Sequence, residues 1–380
     1  MSYRVPPEPG GKERHTEFLT REQLKRGHEI TLAFRRGHVV PDGATVLRTR
    51  PTLLSRALGA KSDVLAFAAE VGAALRRSER PDLVHLHGDH VEAAVLGPVC
   101  RRLGIPLVMT LHATLSERHR AFARMALRGV DACFALGTAA ARDLVERGVD
   151  PRHIETASSG LDLDSINRTP HPAARQPGLV VSVGSLDPMK NHALLISAFH
   201  ELRRTRPDIQ LVIAGDGPER DALLRLAAGA GERAKAGEGN GVVLAGRLAQ
   251  DDIYRLVRRA EVFVLASRRL DGKGEGVPTA ALEALALGTP VIVSSDAALI
   301  PVVRDPQAYR MFTSGSRDEL VSVLDSVLGD EEARSRMSAC GERAARELGW
   351  PAVADKVERM YSWALGAPPT PPIRDGATRM

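Results

Sequence analysis

The stretch Gly272-Lys-Gly-Glu275-Gly276-Val277-Pro278-Thr-Ala-Ala-Leu-Glu283-Ala-Leu-Ala-Leu-Gly288-Thr-Pro290-Val-Ile-Val-Ser294 reads as a loop, a helix and a buried strand in succession. Pro278 suits the first turn of a helix, where its missing N–H would have no intrahelical partner anyway. Thr279 to Leu287 is rich in helix formers, Gly288 stands where a C′ glycine ends a helix, and Pro290 to Ser294 is the apolar run of a strand covered on both faces. Glu275 therefore precedes a helix N-terminus and Glu283 lies near its second turn. The N–H groups and positive dipole end between them suit a phosphate. Two carboxylates flanking that seat accept hydrogen bonds from the hydroxyls of a sugar and a ribose.

Outward from this unit, short apolar runs alternate with helical stretches along the whole chain, the pattern of parallel sheets with helices on both faces. In the first half the strands read as Glu29–Phe34, Leu83–Leu86, Leu107–Thr110, Ala132–Ala135 and His153–Thr156, with helices such as Lys12–Arg26 and Asp63–Arg77 between them. In the second half they read as Leu179–Val183, Gln210–Ala214, Val242–Ala245, Val262–Leu265 and Pro290–Ser294. Each half reads as one Rossmann-like doubly wound α/β domain, residues 1–170 and residues 179–348. The proline-dense stretch 171–178 is the linker, 349–365 a C-terminal helix, and 366–380 a disordered tail. Gly229 to Gly241 reads as a surface loop. Two such domains face a central cleft at the carboxyl ends of their strands, where this architecture takes its ligands.

Composition narrows the classes. A hydrophobic content of 43% and 26% charged residues are ordinary for a globular protein, and 380 residues suffice for two cores. Aromatics at 4% argue against a base-stacking nucleic-acid binder. The three cysteines are scattered, with no paired spacing for a disulfide framework or a zinc cage. Met1-Ser-Tyr-Arg-Val-Pro-Pro has no apolar signal region and no run reaches membrane-spanning length, so a cytoplasmic protein is expected. Residues 1–170 hold 25 basic against 20 acidic side chains, which accounts for the whole net charge of +5. That excess allows peripheral contact with an anionic inner membrane face.

Further candidates fall after strands or at helix starts. Gly10-Gly11 lets backbone approach a phosphate or sugar closely and leads, with Glu13 and His15, into an amphipathic helix. His85 and His87 share one strand face by its period of two, but no second ligand-rich segment accompanies them and no metal site is expected. His112 ends a buried strand, where one imidazole suits a reacting sugar. Gly184-Ser185 to Lys190-Asn191 follows a strand and opens a helix, placing an ammonium for a departing diphosphate. Ala214-Gly-Asp-Gly-Pro-Glu-Arg220 starts like a dinucleotide fingerprint but has Arg220 where the third glycine belongs, which disfavours a dehydrogenase. Arg247 and Leu248 end the next strand and offer main-chain groups to a nucleobase. Ser116 to Arg128 reads as a helix with an apolar face of Phe122, Met125 and Ala126, and with Arg118, Arg120, Arg124 and Arg128 over the remainder.

Taken in order, these segments resemble a glycosyltransferase of family 4 in the GT-B class, over nearly the whole chain to about residue 365. The pair Glu275 and Glu283 is the most specific part. The resemblance implies a retaining, metal-independent enzyme that moves a sugar from a nucleotide diphosphate to a hydroxyl or amine of a polysaccharide, glycolipid or natural product. No cofactor is implied beyond the nucleotide-sugar co-substrate. It implies catalytic roles for His112, Lys190 and Glu275. It assigns donor contacts to Gly10, Gly11, Gly184, Ser185, Lys190, Arg247, Leu248, Glu275, Gly276, Val277, Pro278 and Glu283, and acceptor contacts to Glu13, His15 and His87. Apart from the resemblance, the basic helix after His112 reads first as a solvated face and second as placing Arg118 and Arg120 on the acceptor side, for an acceptor bearing phosphate or carboxylate. Three positions depart from the family: Ser185 replaces an arginine, and Leu299 and Val302 replace a glycine and a glutamate. They motivate an alternative, a catalytically silent homologue that partners an active transferase. A last expectation concerns Met1 to Val5, a short and partly polar stub in place of the central first strand. An upstream start supplying an apolar segment is expected from it.

Overall fold

The computed structural model describes residues 1–8, 11–115, 120–172, 174–229, 241–270, 277–297, 299 and 302–368. Most of the expected Gly229–Gly241 loop and the tail beyond residue 368 lie outside them. The chain forms two compact units, one of Met1–Gly160 with Trp350–Met380 and one of Leu161–Gly349. The chain passes between units at 160/161 and again at 349/350, so the expected linker 171–178 falls inside the second unit and the C-terminal helix belongs to the first.

The first unit contains α1 (Gly11–Lys25), β1 (Thr31–Leu32), β2 (Thr45–Val46), α2 (Leu53–Gly59), α3 (Asp63–Leu75) and β3 (Val84–His87). It continues with α4 (His90–Leu103), β4 (Leu107–Leu111), α5 (Arg120–Leu127), β5 (Ala132–Leu136), α6 (Thr138–Glu146) and β6 (Ile154–Ala157), and ends in the helix Trp350–Ala364. Strands β3, β4, β5 and β6 pair in that order, all parallel. Residues 1–5 lie on the other side of β3. Ser2 bridges His87, Arg4 bridges Arg36 just beyond β1, and β1 pairs with β2. The Ser2 amide donates to the Ala33 carbonyl at 3.0 Å and the His87 amide to the Met1 carbonyl at 2.8 Å, so the short segment pairs on both sides. Sequence order thus reverses across the sheet beside residues 1–5, and the loops on either side of that point open at one edge.

The second unit contains α7 (Leu163–Arg168), β7 (Leu179–Val183), α8 (His192–Arg203), β8 (Gln210–Ala214), α9 (Arg220–Ala228) and β9 (Val242–Gly246). Then follow α10 (Gln250–Arg259), β10 (Val262–Leu265), α11 (Thr279–Ala286), β11 (Val291–Ser294), β12 (Tyr309–Phe312), α12 (Arg317–Gly329) and α13 (Glu331–Arg346). The strands form one parallel sheet in the order β12-β11-β10-β7-β8-β9. Alternation splits its side chains between two cores. Val181, Phe263, Leu265 and Val293 pack with Val257 of α10 and Leu282 and Leu285 of α11. Val180, Val262, Val264 and Ile292 point the other way, against Leu195 and Phe199 of α8 and Leu320 of α12. Among the described residues no helix is long and apolar enough to cross a membrane.

Candidate functional site

In the second unit the order of strands reverses between β7 and β10, so the loops leaving their carboxyl ends open side by side. The loop after β7 carries Gly184, Ser185 and Lys190. Ser185 donates its hydroxyl to Asp187, whose other carboxylate oxygen accepts the amides of Met189 at 3.0 Å and Lys190 at 3.2 Å. That turn folds the Lys190 stem back across Gly184, where an added Cβ would sit 3.4 Å from its Cδ and Cε. Asn191, in the left-handed region at φ 53°, then admits α8. His192 in the first turn of α8 is buried, and burial, with the Lys190 charge second, lowers its pKa to about 4.

The loop after β8 packs into this one by backbone. A Cβ on Gly215 would lie 1.8 Å from the Gly184 carbonyl oxygen, and one on Gly217 2.5 Å from that of Leu186. The two glycines of the abandoned dinucleotide fingerprint are thus needed for contact between loops. Arg247 and Leu248 follow the edge strand β9, whose end joins β8 through the Gly215 amide and the Gly246 carbonyl at 2.8 Å.

After β10 the chain leads to α11. Glu275 and Gly276 lie outside the described residues, while Val277 is half-buried and Pro278 buried at the N-cap. Gly288 closes α11 as anticipated: its amide donates to the Leu285 carbonyl, and that of Thr289 to Ala284, both at 2.9 Å. Glu283 is only 8% exposed, and its Oε1 accepts the Tyr254 hydroxyl at 3.1 Å. Tyr254 sits on α10, 1% exposed, and was not singled out from the sequence. The Leu299 and Val302 positions join the apolar core beside α11. They add no polar group to the site.

In the first unit, helix α1 brings His15 to the ends of β3 and β4. Its ring centroid lies 5.0 Å from that of His112 and 5.7 Å from that of His87. His85 and His87 share a strand face, as their spacing requires, and stack at 4.2 Å. His87 Nδ1 and His112 Nε2 are 3.4 Å apart, and His15 Nδ1 is 3.1 Å from the Ser159 hydroxyl. Gln23 donates to the Tyr361 hydroxyl at 2.5 Å, which leaves the phenol to donate to His85 Nδ1 at 2.7 Å and His85 Nε2–H to donate to Thr110 at 2.7 Å. Burial alone holds His15 to a pKa of about 3. Burial foremost lowers His85, His87 and His112 well below the ordinary range, with neighbouring imidazoles adding to the effect on those three and the N-terminal ammonium adding to it on His85 and His87. The cluster is neutral at pH 7. With no carboxylate paired to them among the described residues, the four imidazoles offer hydrogen bonds without net charge. Sequence spacing revealed the His85–His87 pair; the approach of His15 and His112 required the sheet order.

Other expected residues stand apart. Glu13 is buried in the first turn of α1, and a Cβ on Gly11 would meet no atom within 4 Å, so packing among the described residues does not demand that glycine. Gly10 and Arg118 lie outside the described residues. Arg120 forms an ion pair with Glu146 of α6 at 3.7 Å, and Arg124 donates to the Glu146 carbonyl. The expected helix from Ser116 begins, in its described part, at Arg120.

Known proteins match this arrangement across both units. The family model described as Glycosyltransferase Family 4 matches residues 9–165, and Glycosyl transferases group 1 matches residues 165–344. A glycogen synthase of Mycobacterium tuberculosis is 27% identical, covering 95% of this chain and 93% of its own. A D-inositol 3-phosphate glycosyltransferase of Frankia alni is 29% identical over 75% of this chain and 74% of its own. Among solved structures, Anabaena Alr3699/HepE in complex with UDP-glucose superposes with a TM-score of 0.73 at 16% identity, covering 95% of this chain and 98% of the other. The chain is therefore a glycosyltransferase enzyme of the GT-B type, in which a family 4 domain precedes a group 1 domain.

Proposed function

We propose that the enzyme transfers a sugar from a nucleoside diphosphate sugar to a hydroxyl or amine acceptor with retention of anomeric configuration. The observation that carries the donor reading is the strand-order reversal of the second unit, where the Lys190 loop leaves β7 and the chain leaving the adjacent β10 leads to the helix that bears a buried, tyrosine-held Glu283. The solved neighbour bound to UDP-glucose supports the same class of donor. Retention and metal independence rest on the family 4 resemblance. Glu283 accepts from the ribose hydroxyls, Glu275 and the Val277-Pro278 backbone orient the sugar, and the loop from Gly184 to Lys190 holds the diphosphate.

In the transfer, the bond from the anomeric carbon to the β-phosphate oxygen breaks with its electron pair going to the phosphate. The acceptor oxygen or nitrogen bonds to that carbon on the same face, and its proton passes to the leaving phosphate. Lys190 lowers the energy of the charge growing there. Neutral imidazoles of the first unit, His112 foremost, offer hydrogen bonds to sugar hydroxyls without trapping the anion. The approach of His15 to His87, with ring centroids 5.7 Å apart, supports an acceptor-side role for these imidazoles toward a polyhydroxy acceptor.

The test is slow donor hydrolysis across uridine, guanosine, adenosine and thymidine diphosphate sugars, with and without EDTA, the anomer released being read by NMR. Glu283→Ala and Lys190→Ala are each expected to lose most turnover while staying folded. Near-normal rates in both variants would overturn the site assignment, an inverted anomer the retention, and loss with EDTA the metal independence.

A further inference from the structure

The loops at the strand-order reversal hold a second cation that the sequence did not single out. Arg268 follows β10 by three residues and sits against the loop that carries Lys190. Its backbone amide donates to the Met189 carbonyl at 2.7 Å and its Nε to the Pro188 carbonyl at 2.9 Å. The next residue turns to the opposite side, its amide donating to Asp296 at 2.9 Å. One guanidinium edge is thus pinned to the Lys190 loop, while among the described residues no acceptor engages Nη1 or Nη2, and the side chain is exposed. Among the described residues, Asp187 of the Lys190 loop accepts from Ser185 and two loop amides, and Asp296 accepts from the Arg269 amide.

A guanidinium fixed along one edge, with its other nitrogens open, is preorganised for a phosphate oxygen, since little side-chain freedom remains to be lost. The position also meets a need. Ser185 turns its hydroxyl to Asp187 and brings no charge to the loop. A nucleoside diphosphate brings more negative charge than one ammonium balances.

Resting on the donor reading above, we propose that Arg268 is a phosphate-binding residue, sharing the diphosphate of the donor with Lys190 and selecting diphosphates over monophosphates. The probes are uridine, guanosine, adenosine and thymidine diphosphates. The one that most raises the melting temperature is then titrated calorimetrically beside its monophosphate. Arg268→Gln is expected to weaken the diphosphate about tenfold and the monophosphate less than about threefold, the scale of one charge-assisted hydrogen bond. Arg269→Gln, its neighbour, is expected to change neither by more than about twofold. Equal losses for di- and monophosphate would show that Arg268 only staples the loops, and unchanged affinities would overturn the proposal outright. If Arg268→Gln melts markedly lower than wild type, Arg268→Lys serves instead. It keeps a charge and a donor for Pro188 but not the fork, and is expected to lose diphosphate affinity about threefold with the monophosphate unchanged; wild-type affinity there would also overturn it. Failure of the wild type to bind any nucleotide would sink the donor reading and this one together, whereas binding that ignores Arg268 would sink this one alone.

Discussion

Acidifying the protein from pH 7 to pH 5 is expected to destabilise the first unit through its buried imidazoles. His15 is fully buried, and burial holds its pKa to about 3. In the unfolded chain the same ring titrates near about 6.5. Because the folded value is the lower one, the unfolded chain takes up the proton first. Stability is intact above the unfolded pKa and falls as pH drops below it, by about 1.4 kcal/mol per pH unit for each such histidine. Between pH 7 and pH 5, His15 alone costs about 2 kcal/mol. His85, His87 and His112 are depressed for the same reason and add losses of the same sign. Against a total stability of about 5–15 kcal/mol, this is a large fraction. The chain's two tryptophans, Trp350 and Trp363, both lie in the helix Trp350–Ala364 of this unit, so intrinsic fluorescence in urea titrations reports on it selectively. His15→Gln keeps a polar partner for Ser159 without a titrating ring. Its loss between pH 7 and 5 is expected to be smaller than that of wild type by about 2 kcal/mol. A urea midpoint that does not move with pH, or a variant as acid-sensitive as wild type, would refute the reasoning.

Tyr254→Phe removes the hydroxyl that holds Glu283 and is expected to raise the donor KM about tenfold with a smaller change in kcat; an unchanged KM would show that Glu283 needs no such support. Gly215→Ala drives a Cβ to 1.8 Å from the Gly184 carbonyl oxygen, so the two loops must part. A loss of about 1–3 kcal/mol in thermal unfolding and weaker nucleotide binding are expected, and wild-type values in both would count against the packing account. Gly11→Ala meets no protein atom within 4 Å and should leave the melting temperature unchanged while lowering turnover. Full activity would return that glycine to the status of an ordinary turn.

Strands buried on both faces left the plainest mark on the sequence, because most of their positions are apolar; the buried Ser182 of β7 and the exposed Gln210 that opens β8 are the exceptions. Leu179–Val183, Gln210–Ala214 and Val262–Leu265 stand where their apolar runs begin and end. Tyr309–Phe312 escaped notice because it is an edge strand with Met311 49% exposed, and exposure relaxes composition. The helix ending at Gly288 was readable because the αL cap is a local requirement of one residue. Tyr254 and Arg268 were not, since each acts on a partner far along the chain. The Arg268–Pro188 contact exists only once β7 and β10 lie side by side, and the Tyr254–Glu283 contact only once α10 and α11 pack together; no spacing in the sequence encodes either adjacency. The proline-rich stretch after residue 168 misled for a related reason: proline marks irregular backbone, and irregular backbone need not lie between compact units.

The return of the last helix to the first unit sets an order of events during synthesis. The second unit is continuous, residues 161–349, and leaves the ribosome with every strand of its sheet available. The first unit must wait for residues beyond 349, which bring Tyr361 to His85, Trp350 to a stacked contact with Phe18, and Asp355 to Arg26. At about 5–20 residues per second, the intervening segment takes about 10–40 s to translate. Throughout that interval His85 lacks the Tyr361 hydroxyl and His15 the Trp350 ring that pack against them in the finished unit. A stop codon or frameshift ahead of Trp350 would leave that state permanent, with one half able to close and the half made first unable to.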